Sequence, residues 1–142
     1  TGNINSALGL CQLKKLEHNN NIRKDLSDLY RKCLEKANFL DIPFKKCIGS
    51  SSHHLFPILL DKKIDREKFM EFLKSKGIQT SIHYPPIHLF SYYRNRFGFK
   101  EGMLPITEHI GKSEVTLPLH PLLKKEDVEY ISDQINKFSK II

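Results

Sequence analysis

The sequence has few of the features that would place the chain in a membrane or in a disulfide-linked secreted fold. Its apolar runs are far shorter than the ~20 residues that a membrane-spanning helix needs, and no signal-peptide pattern is visible. The three cysteines, Cys11, Cys33 and Cys47, are odd in number and lack CxxC spacing, which argues against disulfides and a structural zinc site. We therefore expect a cytoplasmic protein with reduced, buried or half-buried thiols and no metal site.

The chain is basic, but most of its charge is not concentrated in one place. Its 142 residues, enough for one domain with a hydrophobic core, carry a formal net charge of +7. Such a charge favours nucleic-acid partners when it clusters, whereas most lysines here alternate with Asp and Glu, as on a solvated helix face. Residues 92–97, Tyr-Tyr-Arg-Asn-Arg-Phe, are the exception. Their side chains could stack on bases, bind a diphosphate or pack on a partner subunit.

Helical periodicity is clearest at the two ends of the chain. A first helix with more than one apolar side is predicted for residues 4–16, with a break or kink at 18–21 and a continuation through 37. The helical pattern is already running at the start, where Thr1 is not an initiator Met, so we expect this chain to be a piece of a longer one. A last helix is predicted from the apolar face formed by Val128, Ile131, Ile135 and Phe138.

Strands and shorter helices are predicted between these two helices. Pro57 places the first strand at an edge or a bulge, and Asp65 caps a helix that ends at Gly77. Residues 89–104 are aromatic and irregular and predict a loop with a short helix in it, followed by another short helix at 105–110. Together they predict an α+β fold, in which helices cover a sheet of about three strands, at residues 54–60, 78–83 and 115–119.

Residues 83–88, which we call the polar corner, contain the main candidate binding side chains of the sequence. Pro85 and Pro86 end the second predicted strand, because neither can donate to a sheet ladder. His83, Tyr84 and His88 are thereby crowded onto a stiff loop held by a packed sheet, a common setting for binding residues. Taken locally, they could equally be half-exposed packing residues. The other histidines that flank strands are predicted to be packing or strand-end residues: His53, His54 and His120.

Four segments of the chain, in the same order, resemble the DegT/DnrJ/EryC1/StrS family of pyridoxal-phosphate-dependent sugar aminotransferases. Residues 77–88, Gly-Ile-Gln-Thr-Ser-Ile-His-Tyr-Pro-Pro-Ile-His, are similar to the family's Gly-Ile-x-Thr-x-x-His-Tyr-x-Pro-x-His. Residues 4–16 resemble the helix after its phosphate-binding turn, and 54–56 its first small-domain strand. Residues 117–121, with 126–128, resemble its last strand and final helix.

The resemblance implies the small C-terminal domain of a fold-type I aminotransferase. Residues 1–40 would be a helical segment linking to a missing large domain, and residues 41–142 would be the α+β domain. The full enzyme would be a cytoplasmic homodimer that acts on a nucleotide-linked keto-sugar in polysaccharide biosynthesis. It would use glutamate as amino donor and pyridoxal 5'-phosphate (PLP) as cofactor. The resemblance implies neither a nucleic-acid nor a membrane partner.

The resemblance also implies that the active site is divided between this chain and the missing part. The lysine that anchors the cofactor lies upstream of Thr1 in the family, and no lysine here matches it. We therefore expect this chain alone to hold no catalytic or cofactor-binding residue, to bind no PLP and to be inactive. Residues implied to line the substrate side are His83, Tyr84 and His88 at the active-site mouth, and Arg94 and Arg96 at the diphosphate. His88 could instead cap the loop after Pro86, and at least one arginine could simply be solvent-exposed.

Other interpretations stay open. Some relatives, commonly with histidine for the anchor lysine, are dehydratases that use the same cofactor, and that position lies outside this sequence. The basic charge and residues 92–97 would also suit an α+β nucleic-acid-binding module. The doubly apolar first helix would suit a non-enzymatic dimerisation or regulatory domain.

Overall fold

The computed structural model describes residues 2–45 and 49–139, so Cys47 lies outside the described residues. Within these ranges, every helix is too short or too polar to span a bilayer. A short 3-10 helix, Ile87–Leu89, precedes α3. The remaining elements are α1 (Gly2–Cys33), β1 (Leu40–Asp41), β2 (Phe56–Leu60), α2 (Arg66–Ser75), α3 (Ser91–Phe97), α4 (Pro105–Ser113), β3 (Glu114–Leu117) and α5 (Lys125–Phe138).

The strands form one antiparallel sheet in the order β1-β2-β3, and it shares a hydrophobic core with α1, α2 and α5. This confirms the predicted α+β fold with about three strands. The prediction of a strand at 78–83 is wrong, because in this segment only Ser81 pairs, in an isolated bridge with Thr116. The ladder stops there because the next N–H that could extend it, that of His83, donates to the Glu114 carboxylate (2.8 Å) rather than to a backbone carbonyl. The third strand is instead β1, which the sequence did not predict.

Pro57 lies in the central strand, not in an edge strand as predicted. The prediction fails because β1 is only two residues long and pairs with β2 at Leu59 and Leu60 alone. Pro57 is opposite Thr116 of β3, and within the described ranges no strand pairs with it on its other side. The missing N–H of the proline is therefore tolerated in a strand that is central along only part of its length.

The predicted ends of α2 are confirmed. Oδ1 of Asp65 accepts the N–H groups of Glu67 (3.0 Å) and Lys68 (3.2 Å), which caps α2. After α2, Gly77 has a φ of +75°, a backbone conformation that only glycine adopts without strain. At the start of α5, Asp127 accepts the Lys124 N–H at 2.9 Å.

The core is aromatic at its centre. Tyr30 of α1 stacks on Phe56 of β2 with ring centroids 4.7 Å apart, and its hydroxyl donates to the Pro118 carbonyl at 3.0 Å. Phe69 and Phe138 meet edge to face, with centroids 5.1 Å apart. The second half of α1 is thereby fixed to the sheet and to the chain directly after β3.

Of the predicted break or kink in the first helix, the break does not occur, because α1 runs without interruption from Gly2 to Cys33. Each asparagine at 19–21 costs only about 0.7 kcal/mol or less in a helix, and Asn20 also accepts a hydrogen bond from Arg23 one turn later. The prediction that the thiols are buried or half-buried fails at Cys11, which is exposed, and holds at Cys33. The first half of α1 leaves the domain, and its large apolar side chains are about half exposed or more: Ile4, Leu8, Leu10, Leu13 and Leu16.

Candidate functional site

The polar corner begins where the chain leaves the edge of β3. Ser81 and Thr116 exchange two backbone hydrogen bonds, of 3.2 and 2.8 Å. After this bridge the chain turns away over Pro85 and Pro86, and the 3-10 helix starts at Ile87. The side chains of residues 83 and 84 are therefore placed at an open edge of the sheet.

His83 is half-buried, and its ring is oriented by two residues of β3. Its Nδ1 lies 2.9 Å from Oγ1 of Thr116, and the Thr116 hydroxyl donates its proton to Oε1 of the buried Glu114. Because that proton is already used, Thr116 can only accept from His83, so Nδ1 carries the imidazole proton. A neutral His83 therefore presents Nε2 as an acceptor, and a protonated His83 presents a donor there.

Tyr84 follows through a cis peptide bond and is 70% exposed. Its ring meets that of His83 edge to face, with centroids 4.9 Å apart. Neither ring is enclosed in the core, so most of the Tyr84 side chain is open to a bound molecule.

A cleft of about 190 Å³ lies beside His83. Ser81, Thr116 and the exposed His54 contribute its polar groups, and Leu117 and Pro118 part of its apolar wall. Sequence reasoning placed His54 at a strand end but did not associate it with the site, because residues 54 and 83 are brought together only by the pairing of β2, β3 and residue 81. His120 is exposed and lines the neighbouring cleft, with Ser81 and Tyr130.

His88 is placed differently from His83 and Tyr84. It is buried, at 6% exposure, and its Nε2 lies 2.9 Å from Oε1 of Glu108 on α4. Among the described residues its Nδ1 has no hydrogen-bond partner. His88 is thus buried against α4, which favours the predicted alternative that it caps the loop after Pro86.

Arg94 and Arg96 lie in the last turn of α3 and are exposed. The α3 helix buries none of its residues. Tyr93, Phe97 and Phe99 form a ladder of stacked rings, with centroid separations of 6.2 and 5.6 Å, and Phe99 approaches His88 edge to face at 6.4 Å. The two guanidinium groups therefore lie on the helix directly after the corner, next to an aromatic surface.

The described lysines do not have the properties of a cofactor anchor. An imine-forming lysine needs an accessible neutral amine in an enclosed pocket, which burial or nearby positive charge favours. The lysines in 2–45 and 49–139 are all exposed. The hydrogen bond to Asp28 raises the pKa of Lys24, and that to Glu101 raises the pKa of Lys112, which is opposite to the shift needed.

Comparison with known proteins gives a consistent result. The model of the DegT/DnrJ/EryC1/StrS aminotransferase family matches residues 2–136. The UDP-4-amino-4,6-dideoxy-N-acetyl-beta-L-altrosamine transaminase of Campylobacter jejuni (serotype O:23/36) is 34% identical over 131 residues, which cover 91% of this chain and 34% of that protein.

Solved structures agree with the sequence comparison. PseC of Helicobacter pylori, an aminotransferase involved in the biosynthesis of pseudoaminic acid, has a TM-score of 0.89 at 29% identity, covering 96% of this chain and 37% of that one. Spr1654 of Streptococcus pneumoniae, solved in a PLP-form, has a TM-score of 0.85 at 29% identity, covering 94% of this chain and 34% of that one. The chain thus spans about a third of the length of these proteins.

Proposed function

This chain belongs to the DegT/DnrJ/EryC1/StrS aminotransferase family, and from that premise we propose that it is the C-terminal domain of a PLP-dependent enzyme. The full enzyme would transfer an amino group, with glutamate as donor, to a nucleotide-linked keto-sugar. Similarity to a UDP-sugar transaminase and to a structure solved in a PLP-form supports this proposal. The similar Campylobacter jejuni protein is described as a transaminase and PseC as an aminotransferase. These descriptions do not favour the dehydratase alternative.

One observation carries the proposal to this chain's own residues: His83 is hydrogen-bonded to β3, and the neighbouring Tyr84 is exposed. Glu114 and Thr116 fix the imidazole of His83, so that Nε2 can accept from a sugar hydroxyl or, when protonated, donate to a phosphate. The exposed ring of Tyr84 can stack on a sugar or a base. Arg94 and Arg96 of α3 would bind the diphosphate, for which a guanidinium fork is well suited.

The described residues do not fit a complete PLP site. When bound, PLP supplies the electron sink for amino transfer, and the lysines within 2–45 and 49–139, all exposed, offer no suitable anchor. We therefore assign the anchor lysine and the cofactor's other contacts to the large domain, and only the substrate-facing wall to this chain. The boundary near residue 40, a homodimeric full enzyme and a cytoplasmic location belong to the same proposal.

The division of the site can be tested on the 142-residue chain. The chain is mixed with PLP, reduced with borohydride and digested for mass spectrometry, and a circular dichroism spectrum shows that it is folded. We expect weak labelling spread over many surface lysines. Stoichiometric labelling of one lysine in the folded chain, lost on unfolding, would contradict the proposal.

The activity itself is tested with the full-length protein. It is incubated with PLP, glutamate and UDP- or dTDP-linked 4-keto sugars, and the products are analysed by mass spectrometry. We expect an amino-sugar nucleotide and 2-oxoglutarate in equal amounts. Loss of a hydroxyl from the sugar without amine formation would indicate a dehydratase instead, and no turnover of any of these sugars would refute the assignment.

A further inference from the structure

Helix α4 contacts the polar corner through two residues that lie one helical turn apart. Glu108 is bonded to His88, and Gly111 is in contact with Pro86. On the opposite side, the corner is held by β3 through Glu114 and Thr116, as described above. Residues 83–88 are therefore clamped between a strand and a helix.

The Glu108 carboxylate connects three separate segments of the chain. It is buried, at 6% exposure, and both its oxygens accept the Gly102 N–H at 2.9 Å. Oε1 also accepts the Leu104 N–H at 3.2 Å and faces His88 Nε2 at 2.9 Å. These donors hold the pKa of Glu108 below its ordinary value, the Gly102 N–H contributing most. A charged carboxylate with this many donors fixes the 3-10 helix, the turn at 100–103 and the start of α4 relative to one another.

The contact between Gly111 and Pro86 leaves no room for a side chain. A Cβ on Gly111 would lie 2.5 Å from Cδ and 2.6 Å from Cγ of Pro86. Glycine inside a helix costs about 1 kcal/mol relative to alanine, so its presence here has a packing reason. Nη1 of Arg66 donates to the Gly111 carbonyl at 2.6 Å, which fixes this end of α4 to α2. The corner thus rests directly on a helix that is itself anchored.

We propose that Glu108 and Gly111 are positioning residues, which set where His83 and Tyr84 stand relative to the nucleotide sugar. The inference rests on the proposed function. Neither residue lines the cleft beside His83, so both act through the corner: Glu108 through His88, five residues after His83, and Gly111 through Pro86. The two consecutive prolines transmit a displacement, because each fixes its own φ and restricts the residue before it.

The kinetic test uses the full-length enzyme with the variants Gly111→Ala, Glu108→Ala and Glu108→Gln. For the two alanine variants we expect the KM for the nucleotide sugar to rise about tenfold, with the KM for glutamate within about twofold of wild type. Glu108→Gln keeps acceptor atoms for the backbone donors and should show a smaller rise. A mere loss of folded protein would lower the rate with both substrates and would leave both KM values unchanged.

Two further variants distinguish the contacts between α4 and the polar corner from the general effects of a substitution. In the double variant Pro86→Ala with Gly111→Ala, the colliding ring atoms are gone, so we expect the KM for the sugar to recover part of the loss relative to Gly111→Ala alone. Glu101→Gln is the matched control for Glu108→Gln, because Glu101 is exposed and forms only a surface ion pair with Lys112. It should leave both KM values unchanged.

A second readout does not depend on activity. The 142-residue sequence contains no tryptophan, so Tyr84→Trp places a single fluorescent reporter at the corner. In that background, Gly111→Ala and Glu108→Ala should lower the fluorescence anisotropy at temperatures well below unfolding, and Glu101→Gln should not. If wild-type enzyme turns over no nucleotide sugar but the anisotropy changes as expected, the proposed function fails while the hold of α4 on the corner stands. Unchanged anisotropy together with an unchanged KM for the sugar would overturn the inference.

Discussion

Thr116 lies between His83 and Glu114 and fixes which ring nitrogen of His83 is protonated. Its Oγ1 is 2.9 Å from His83 Nδ1, and its own proton is donated to the carboxylate. A hydroxyl on β3 therefore leaves Nε2 as the ring nitrogen that is free to contact a bound molecule.

Replacing Thr116 by valine keeps the shape of the side chain but removes the hydroxyl. With the full-length enzyme, we expect the KM for the nucleotide sugar to rise about five- to tenfold, since one net hydrogen bond is worth about 1 kcal/mol. Thr116→Ser, which keeps the hydroxyl, should stay within about threefold of wild type. Steady-state kinetics at varied sugar concentration measure this, and equal KM values for the valine variant and wild type would contradict the assigned role.

Tyr84 is predicted to bind through its ring rather than through its hydroxyl, because the exposed ring offers a stacking surface. Tyr84→Phe should bind the nucleotide sugar about as well as wild type. Tyr84→Ala should lose about fivefold in affinity, which corresponds to the value of about 1 kcal/mol expected for one stacked aromatic. Calorimetric titration of the full-length enzyme with a nucleotide sugar decides this. If the phenylalanine variant loses as much as the alanine variant, the hydroxyl is the binding group.

Arg94 and Arg96 are predicted to contact the diphosphate. Arg94→Gln and Arg96→Gln are each compared with wild type for inhibition by UDP and by uridine, which lacks the diphosphate. We expect at least one variant to weaken inhibition by UDP about tenfold and to leave inhibition by uridine unchanged. If UDP inhibits both variants as strongly as it inhibits wild type, the arginines do not bind the diphosphate.

Tyr30 should make the folded chain sensitive to alkali. Burial raises the pKa of Tyr30 above its ordinary value of 10.0, with Asp127 adding to the effect. The phenol therefore stays neutral in the folded chain and ionises more readily in the unfolded one, so its contribution to stability is complete below pH 10 and is lost as the pH rises above that value. Tyr30→Phe should cost about 1 kcal/mol at neutral pH, where the bond to the Pro118 carbonyl is lost. Its free energy of unfolding should fall less steeply above pH 10 than that of wild type; parallel curves would contradict this explanation.

Glu108 should make the stability of the folded chain sensitive to acid, whereas Tyr30 makes it sensitive to alkali. Because its pKa in the folded chain is lowered below the ordinary 4.5, its contribution is present above that value and is lost as the pH falls through the folded pKa. Urea unfolding between about pH 6 and 3 should therefore show a steeper loss of stability for wild type than for Glu108→Gln. Glu101→Gln is again the control, and if Glu108→Gln has the same slope as wild type, the carboxylate is not charged in the folded state.

Local sequence signals predicted much of this structure. The caps at Asp65 and Gly77 follow from side-chain chemistry within a few residues, and the α+β class follows from hydrophobic periodicity. The break predicted at residues 18–21 failed because helix propagation outweighs the weak propensity of a few asparagines. The strand predicted at 78–83 failed because a side chain, Glu114, took the N–H that would have extended it.

The site was predicted only in part, because much of its support is formed by distant residues. His83 and Tyr84 are recognisable in one short motif, but Glu114 and Thr116, which orient His83, lie 31 and 33 positions later. Glu108 is 20 positions from His88 and has no local signal that distinguishes it from a surface glutamate. Gly111 directly follows the short helix predicted at 105–110, where a glycine is typical of a helix end, so its contact with Pro86 had no local signal either.

The long first helix has a consequence for the energetics of the isolated chain. The second half of the helix buries Leu26, Ser27 and Tyr30, whereas the large apolar side chains between Ile4 and Leu16 are about half exposed or more. The two halves of one continuous rod must therefore differ in local opening free energy, close to zero at the front and approaching that of global unfolding at the rear. A partner that covers the front half would stabilise about four turns of helix at once. Its binding would therefore increase the order of the backbone as well as the buried area.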